Sequence, residues 1–162
     1  MSPALTMATQ TPQLSSMHNH WMEQAIREAK LAAAEDEIPV GAVIVHNEQI
    51  MFSDHNRTRQ FHNPLAHAEK LIIDKIMAAK IKYLQEYTLY VTLEPCLMCA
   101  GMLIWSRLGK LVFGASDSKA GAAGSIYNVL ADKSFNHHPQ IVRGVREQEC
   151  SALLKDYFRS KR

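Results

Sequence analysis

Two short stretches of the sequence carry side chains that could bind a metal ion. In the later stretch, Pro95 is followed by Cys96 and Cys99. Residues three apart on a helix lie on one face with Cβ atoms about 5–6 Å apart, so both thiolates could reach one ion. A helix N-terminus favours the ionised form of a thiol. The spacing therefore predicts Cys96 and Cys99 as metal ligands at the start of a helix.

The earlier stretch, His67-Ala68-Glu69, supplies two further groups. With His67 the ligands number three, which is typical of catalytic zinc sites that leave a fourth position to water, whereas structural sites use four. Zinc lowers the pKa of a bound water to about 7, so hydroxide is available at neutral pH. Glu69 can take the proton from this water and pass it to a ring nitrogen and a departing amine. We expect Glu69 to lie close to the zinc without binding it.

Other interpretations of these residues exist. A Cys-x-x-Cys pair alone also fits a redox pair or half of a structural zinc site. The added His-x-Glu favours deamination, because His-x-Glu followed by Pro-Cys-x-x-Cys is the signature of zinc-dependent base deaminases. Cys150 is expected to be a small buried hydrophobic residue, and Trp21 and Trp105 to serve helix packing. The remaining histidines are expected on the surface or in loops: His18, His20, His46, His55, His62, His137 and His138.

Apolar periodicity indicates the elements that must position the chemical groups. Helices are predicted over residues 19–35, 66–79, 96–106 and 147–159. Strands are predicted over residues 40–45 and 50–52, as a hairpin, and over 87–93, 111–113 and 141–145. Strands that alternate with helices favour an α/β fold with helices on both faces of one sheet. We therefore expect a three-layer α/β/α sandwich around a mixed, mostly five-stranded sheet.

Composition limits the remaining possibilities. A length of 162 residues suits one hydrophobic core, and we expect a mobile tail over residues 1–17 and a single zinc-dependent deaminase domain over residues 18–162. Three cysteines, an odd number, disfavour a disulfide framework and favour a reducing compartment, for which the cytoplasm is the default. No apolar run approaches the roughly 20 residues that span a bilayer, and no secretory signal is apparent. We expect neither membrane insertion nor export.

Charge is informative only near the C-terminus. The formal net charge of +2 is typical of many solvated surfaces. The last helix ends in a basic cluster that includes Arg159, Lys161 and Arg162. This cluster could contact phosphate, and it equally fits a solvated helix end.

Beyond the metal motif, the sequence resembles the bacterial tRNA-specific adenosine deaminases of the cytidine deaminase-like superfamily. The resemblance runs from about Trp21 to Arg162. It rests on PVGAVIVHN at 39–47, Asn56, AHAE at 66–69, TLYVTLEPCLMCAG at 88–101, SRLGKLVFGASDSKAGAAGS at 106–125 and ECSALLKDYFRSKR at 149–162. Four positions depart from the common family residue: Leu65 replaces Thr, His55 replaces Trp, Ser116 replaces Arg and Trp105 replaces His.

The resemblance implies hydrolytic conversion of adenosine to inosine at the anticodon wobble position of tRNA, by a homodimer with one Zn2+ per subunit. It makes His67, Cys96 and Cys99 the zinc ligands and Glu69 the proton shuttle. It also implies that Asn56 hydrogen-bonds the flipped base, that Val40 lines the base pocket and that Asp117 lies near the flanking nucleotides. The basic C-terminal helix would face the tRNA backbone.

Two further functions use the same residues. One is deamination of a free base or nucleoside, with guanine, cytidine or deoxycytidylate as candidates. The other is a catalytically silent zinc-bearing RNA-binding subunit, which the presence of Glu69 disfavours. From the residues alone, Asn56 fits a turn role as well as a base contact, and only the resemblance favours the base contact.

Overall fold

The structure is a computed structural model that describes residues 11–162. It contains four α-helices: α1 (Pro12–Ala34), α2 (Ala68–Ala78), α3 (Leu97–Trp105) and α4 (Glu147–Ser160). It contains five β-strands: β1 (Gly41–His46), β2 (Gln49–His55), β3 (Thr88–Leu93), β4 (Lys110–Ala115) and β5 (Gln140–Arg143). A short 3-10 helix, Val129–Ala131, lies between β4 and β5. The elements follow the predicted order, and their ends differ by a few residues except at the start of α1.

Helix α1 begins earlier than the predicted residue 19. The side-chain hydroxyl of Thr11 accepts a hydrogen bond from the backbone N–H of Leu14 at 3.2 Å, and Pro12 follows at the first helical position. Threonine at the cap and proline in the first turn are a strong start signal. Residues 12–17 of the predicted mobile tail are therefore helical here, and residues 1–10 of it lie outside the described residues.

The sheet brings the chemical groups to one edge. Its strand order is β2-β1-β3-β4-β5. Strand β1 runs antiparallel to β2 and β3, whereas β3, β4 and β5 are parallel. Consequently the start of β1 and the ends of β2, β3 and β4 meet at the same edge. The segments that follow these ends carry Asn56, Glu94 and the loop after Ala115.

Alternating side chains divide the core into two layers. On one face, α2 and α3 pack against the sheet through residues such as Ile72, Leu103 and Leu89. On the other face, α1 and α4 contribute Met22 and Cys150. The predicted three-layer sandwich is thus confirmed. Cys150 is buried among apolar neighbours, as expected.

Helix α1 passes unusually close to β1. A Cβ atom at Gly41 would lie 2.1 Å from the carbonyl oxygen of Ala25 and 2.3 Å from the backbone nitrogen of Ala29. Only glycine allows this approach. It places the side chain of Glu28 over the end of β2, because Gly41 pairs with His55 in the sheet.

Three predictions about single residues are wrong. His18 and His55 are buried rather than on the surface, because each ring finds polar partners distant in sequence. Trp105, predicted to pack within the helices, is 84% exposed. Within residues 11–162 no helix is both long and apolar enough to cross a membrane.

Candidate active site

Three potential metal ligands converge where α2 and α3 begin. His67 is the N-cap of α2 and Cys96 is the N-cap of α3, and neither side chain is used for capping. Nδ1 of His67 lies 3.6 Å from Sγ of Cys96 and 3.6 Å from Sγ of Cys99. We call these three residues the metal cluster. All three candidate ligand atoms lie within 4.8 Å of one another.

The spacing of the metal cluster suits a zinc ion. Ligand bonds of about 2.3 Å to sulfur and about 2.05 Å to nitrogen, at a tetrahedral angle, separate the two ligand atoms by about 3.6 Å. The observed N···S distances have this value. The donor set of two thiolates and one imidazole is also the type that zinc prefers. The residues present therefore fit the metal that the sequence predicts.

Without a cation between the three side chains, local electrostatics favour the metal-binding form of Cys96 alone. A hydrogen bond from Cys99 lowers the pKa of the Cys96 thiol to about 4; burial opposes this shift and a hydrogen bond with His67 adds to it. The neighbouring Cys96 sulfur and burial raise the pKa of Cys99, because a second negative charge in this space is unfavourable. The hydrogen bond with Cys96 raises the pKa of His67. A cation at the centre of the cluster would allow both cysteines to ionise.

Glu69 lies in the first turn of α2, two residues after His67. Its side chain is buried but lines the same cleft as His67 and Cys96. Burial raises the pKa of Glu69 above its ordinary range. A carboxylate with increased proton affinity beside the metal cluster is suited to accept and return a proton.

Asn56 connects the end of β2 to the start of α2. Its Oδ1 accepts a hydrogen bond from the backbone N–H of Ala68 at 2.9 Å, and its own backbone N–H donates to the carbonyl oxygen of Val40 at 3.0 Å. The first bond satisfies one of the amides that a helix N-terminus leaves free. Among the described residues, the Nδ2 amide group has no partner, and Asn56 lines the cleft. The geometry therefore combines the structural role with a donor for a ligand.

An open cleft of about 1030 Å³ contains the candidate site. Val40, Asn56 and Glu69 form part of its floor. Helix α4 and the chain end form one wall through Leu154, Lys155, Phe158, Arg159, Lys161 and Arg162. Lys161 also pairs with Asp36 at the end of α1, which anchors this wall. A base-sized group can thus enter beside basic side chains.

Sequence reasoning missed the role of Glu94. Its carboxylate accepts hydrogen bonds from the backbone N–H groups of Asp117, Ala123 and Ser125, at 3.1, 2.9 and 3.1 Å, and from the Ser125 hydroxyl. Burial raises the pKa of Glu94, but these donors outweigh burial and lower it overall. Glu94 thereby fixes the opposite wall of the cleft directly before the Cys96 motif. The available signal was a glutamate directly after β3 together with a glycine-rich loop, rich in backbone amides, after the neighbouring strand β4.

Asp117 lies on this loop and lines the cleft. Its contact with flanking nucleotides stays a prediction. Its Oδ1 accepts hydrogen bonds from the backbone N–H groups of Lys119 and Ala120, at 3.0 and 3.2 Å. Its carboxylate thus also stabilises the turn of the loop.

Comparison with known proteins places the chain among deaminases. The family model for the cytidine and deoxycytidylate deaminase zinc-binding region matches residues 15–115. A tRNA-specific adenosine deaminase of Bacillus subtilis (strain 168) is 46% identical over 143 residues, which cover 88% of this chain and 89% of that protein. One from Rickettsia typhi is 41% identical over 144 residues, covering 87% and 97%.

Solved structures agree. A structure from a study of A-to-I editing by tRNA:A34 deaminases at the wobble position of transfer RNA superposes with a TM-score of 0.79 and 38% identity, covering 83% of this chain and 99% of that one. A guanine deaminase from Nitrosomonas europaea has a TM-score of 0.74 but only 20% identity, covering 91% and 93%. This second likeness concerns the fold alone.

Proposed function

The chain belongs to the family of the cytidine and deoxycytidylate deaminase zinc-binding region, among its tRNA-specific adenosine deaminases, and on that premise we propose that it converts adenosine to inosine at the anticodon wobble position of tRNA. The reaction consumes one water and releases one ammonia. The observation that carries the proposal is the metal cluster, spaced for zinc, with Glu69 in the same cleft. Residues 18–162 would form one deaminase domain.

His67 Nδ1 and the sulfur atoms of Cys96 and Cys99 would hold one zinc ion per subunit. When bound, zinc supplies a Lewis acid that makes a water molecule nucleophilic at neutral pH. Glu69 would take a proton from the attacking water and deliver it to N1 of the purine. The water oxygen would bond to C6, and the same carboxylate would move the remaining hydroxyl proton to the amine, so that the C6–N6 bond breaks, ammonia leaves and the C6 carbonyl of inosine forms. Only 4% of Glu69 is exposed.

Asn56 and Val40 would hold the target base. Because Oδ1 of Asn56 is engaged by Ala68, its Nδ2 is left as a donor toward the cleft. The N7 atom of adenine is an acceptor and suits this donor. Val40 presents an apolar surface for the ring at the same position. Bases read in this way must leave the stack of the loop, which a single-stranded anticodon loop permits at low cost.

The basic wall supports an RNA substrate. Lys155 and Arg159 of α4 are exposed and line the cleft, and Arg162 follows them. Cations in such a row neutralise successive phosphates, which makes binding salt-dependent. Asp117, on the opposite wall, would lie beside the nucleotides that flank the target.

A second copy of the chain is the partner that we propose for the exposed face of α3. Leu97, Trp105 and Phe135 line a small apolar groove there, and Trp105 has most of its surface exposed. An aromatic side chain beside an apolar groove is typical of protein interfaces. Sedimentation should report a homodimer that Trp105→Glu converts to monomers. A wild-type monomer would contradict this assembly.

With three free cysteines that include two expected ligands, the cytoplasm is the proposed compartment.

The direct test uses zinc-loaded protein and tRNA with adenosine at the wobble position. Mass spectrometry of the digested tRNA should reveal inosine in amounts that match the ammonia released. Glu69→Ala should keep zinc and RNA binding but yield no inosine. Wild-type protein that forms no inosine would contradict the proposal.

The same assay separates the other two functions. Rapid ammonia release from guanine, cytidine or deoxycytidylate would indicate a free-base or nucleoside deaminase. RNA binding without reaction in both wild type and Glu69→Ala would indicate a silent subunit. Under our proposal the protein is nearly inert on the free compounds.

A further inference from the structure

We propose that His55 is a positioning residue for the base pocket, because α1 holds both of its ring nitrogens and thereby fixes the strand end that carries Asn56. The inference rests on the proposed function for its meaning in catalysis. We call His55, Glu28 and Glu35 the clamp.

The contacts of His55 are short, and its ring is buried although the Glu35 side chain is partly exposed. Its Nδ1 lies 2.7 Å from Oε2 of Glu28, and its Nε2 lies 2.7 Å from Oε2 of Glu35. Only 2% of the residue is exposed. Glu28 lies on α1 and Glu35, seven residues later, is the C-cap of this helix, which places both on the same side of it. Each ring nitrogen therefore faces a different carboxylate.

The distances distinguish the clamp from a metal site. Nitrogen and oxygen ligands of one tetrahedral zinc ion, each at about 2.05 Å, stand about 3.3 Å apart. The 2.7 Å separations in the clamp are those of hydrogen bonds to a charged group. The adjacent Asp54 is already paired with Arg57 at 2.7 Å and with Lys75 at 2.8 Å. We therefore assign a mechanical role to the clamp and no metal.

The C-terminal end of α1 is acidic and needs polar partners. Its last turn is followed by Glu35, Asp36 and Glu37, and carboxylates are unfavourable at the negative end of a helix. Polar groups from the end of β2 and the segment after it compensate: His55 Nε2 contacts Glu35, and the Gln60 side-chain amide donates to it. The backbone amides of Arg59 and Gln60 donate to Glu37. The acidic end of α1 thus binds the segment that surrounds Asn56.

The clamp acts on Asn56 through the backbone. His55 pairs with Gly41 at the end of β2, under the close approach of α1. Asn56, the next residue, bonds to Val40 through its N–H and to Ala68 through Oδ1. Without the clamp, the bond to Ala68 must alone orient the side chain. The Nδ2 donor then samples directions that do not meet the base.

A graded series of variants tests this role. His55→Phe removes both donors and keeps an aromatic ring, whereas His55→Gln keeps a donor group for one carboxylate. His46→Gln is the matched control, since His46 lies at the far end of the neighbouring strand and contacts Glu86 at 3.6 Å. Each variant is combined with Glu69→Gln for binding measurements. The probes are an anticodon stem-loop RNA with adenosine at the wobble position and the same RNA with an abasic wobble position.

In the binding measurements, we expect the His55 variants to lose recognition of the base while their contacts with the RNA phosphates stay intact. His55→Phe should reduce the preference for adenosine over the abasic loop toward 1, and His55→Gln should give an intermediate preference. In the single variant His55→Phe, which keeps Glu69, kcat/KM should fall about tenfold to a hundredfold, a range usual for misplaced groups. Zinc content should stay at the wild-type level. An unchanged preference in His55→Phe and His55→Gln would overturn the proposal.

Amide hydrogen exchange provides a readout that needs no activity. In His55→Gln, and in His55→Phe if it folds, the amides of Asn56 and Ala68 should exchange faster while that of Leu103 in the core stays protected. Unchanged exchange at Asn56 and Ala68 would contradict the clamp even if tRNA deamination is found. Faster exchange with a wild-type protein inactive on tRNA would support the clamp and reject the proposed function.

Discussion

Two histidine-centred clusters lie at the same edge of the sheet, and they differ in distance and partner chemistry. In the metal cluster, the ring nitrogen of His67 stands 3.6 Å from two sulfur atoms. In the clamp, both ring nitrogens of His55 stand 2.7 Å from carboxylate oxygens. The larger distance leaves room for an ion between the groups, whereas the smaller leaves room only for a proton. Similar residue types thus serve reaction chemistry in one place and rigidity in the other.

The two clusters are connected by one hydrogen bond. Asn56 follows His55, and its Oδ1 accepts from Ala68, which follows His67. Changes in the clamp should therefore reach the floor of the cleft without disturbing the three candidate ligands. The following predictions test this separation, beginning with the largest effect.

Removal of one ligand should abolish the site. Cys96→Ala leaves two ligands, so the zinc content should fall from about one per chain to nearly none, and deamination should be lost with it. Metal analysis by mass spectrometry and the tRNA assay measure both. Cys150→Ala is the control. Cys150 is buried on the other face of the sheet, so this variant protein should keep its zinc. A second equivalent of zinc in wild type that disappears in His55→Phe would erase the distinction between the clusters.

Replacement of the proton carrier should separate binding from reaction. Glu69→Gln keeps size and hydrogen-bonding capacity but cannot transfer the proton, so kcat should fall by roughly 10²–10⁴. Zinc content and RNA affinity should stay near those of wild type. Single-turnover measurements give the rate. A loss of zinc equal to that in Cys96→Ala would mean that Glu69 is a ligand instead.

A change at Gly41 should weaken the clamp without touching the metal cluster. Gly41→Ala forces the backbone of α1 away from β1, at a cost of about 1–3 kcal/mol in the free energy of unfolding, as is usual for overpacking. Urea unfolding measures this cost. Gly101→Ala is the matched control, because nothing lies within 4 Å of its added Cβ and alanine favours a helix. Equal stability of the two variants would contradict the close approach of α1.

Acid should affect the surroundings of the clamp gradually. Burial alone would raise the pKa of Asp54, but hydrogen bonds from Lys75 and Arg57 outweigh it and hold this pKa below its ordinary 3.8. A lowered pKa contributes stability above pH 3.8 that is lost as pH falls through the folded-state value. The free energy of unfolding, measured with urea at pH 5, 4 and 3, should therefore decline less steeply with falling pH in Asp54→Asn than in wild type. Equal declines in both proteins would show that Asp54 does not contribute this pH-dependent stability.

The metal cluster was more predictable than the clamp. The helix starts near His67 and Cys96 follow from local periodicity and from Pro95, so the convergence of these residues could be predicted. The burial of His55 depends on Glu28 and Glu35, and nothing in the neighbouring sequence indicates which helix face will cover a strand end. Long-range pairing of this kind is visible only in the fold.

Two other residues illustrate the same limit. The start of α1 was missed because residues 13–17 carry no clear apolar period, although Thr11 and Pro12 provide a start signal. Trp105 was expected to pack inside, since periodicity gives the apolar face of α3 but not whether this chain covers it. Local patterns define elements well, whereas tertiary partners decide exposure.

Glu94 has a practical consequence for the design of altered specificity. Because one carboxylate fixes the backbone of residues 117, 123 and 125, the shape of that rim does not depend on the outward side chains of Ser116 and Ser118. Under the proposed function, libraries varied at those two serines should alter which neighbouring nucleotides are accepted while the loop backbone keeps its shape. A library that varies position 94 should instead lose the hydrogen bonds that hold this loop in place.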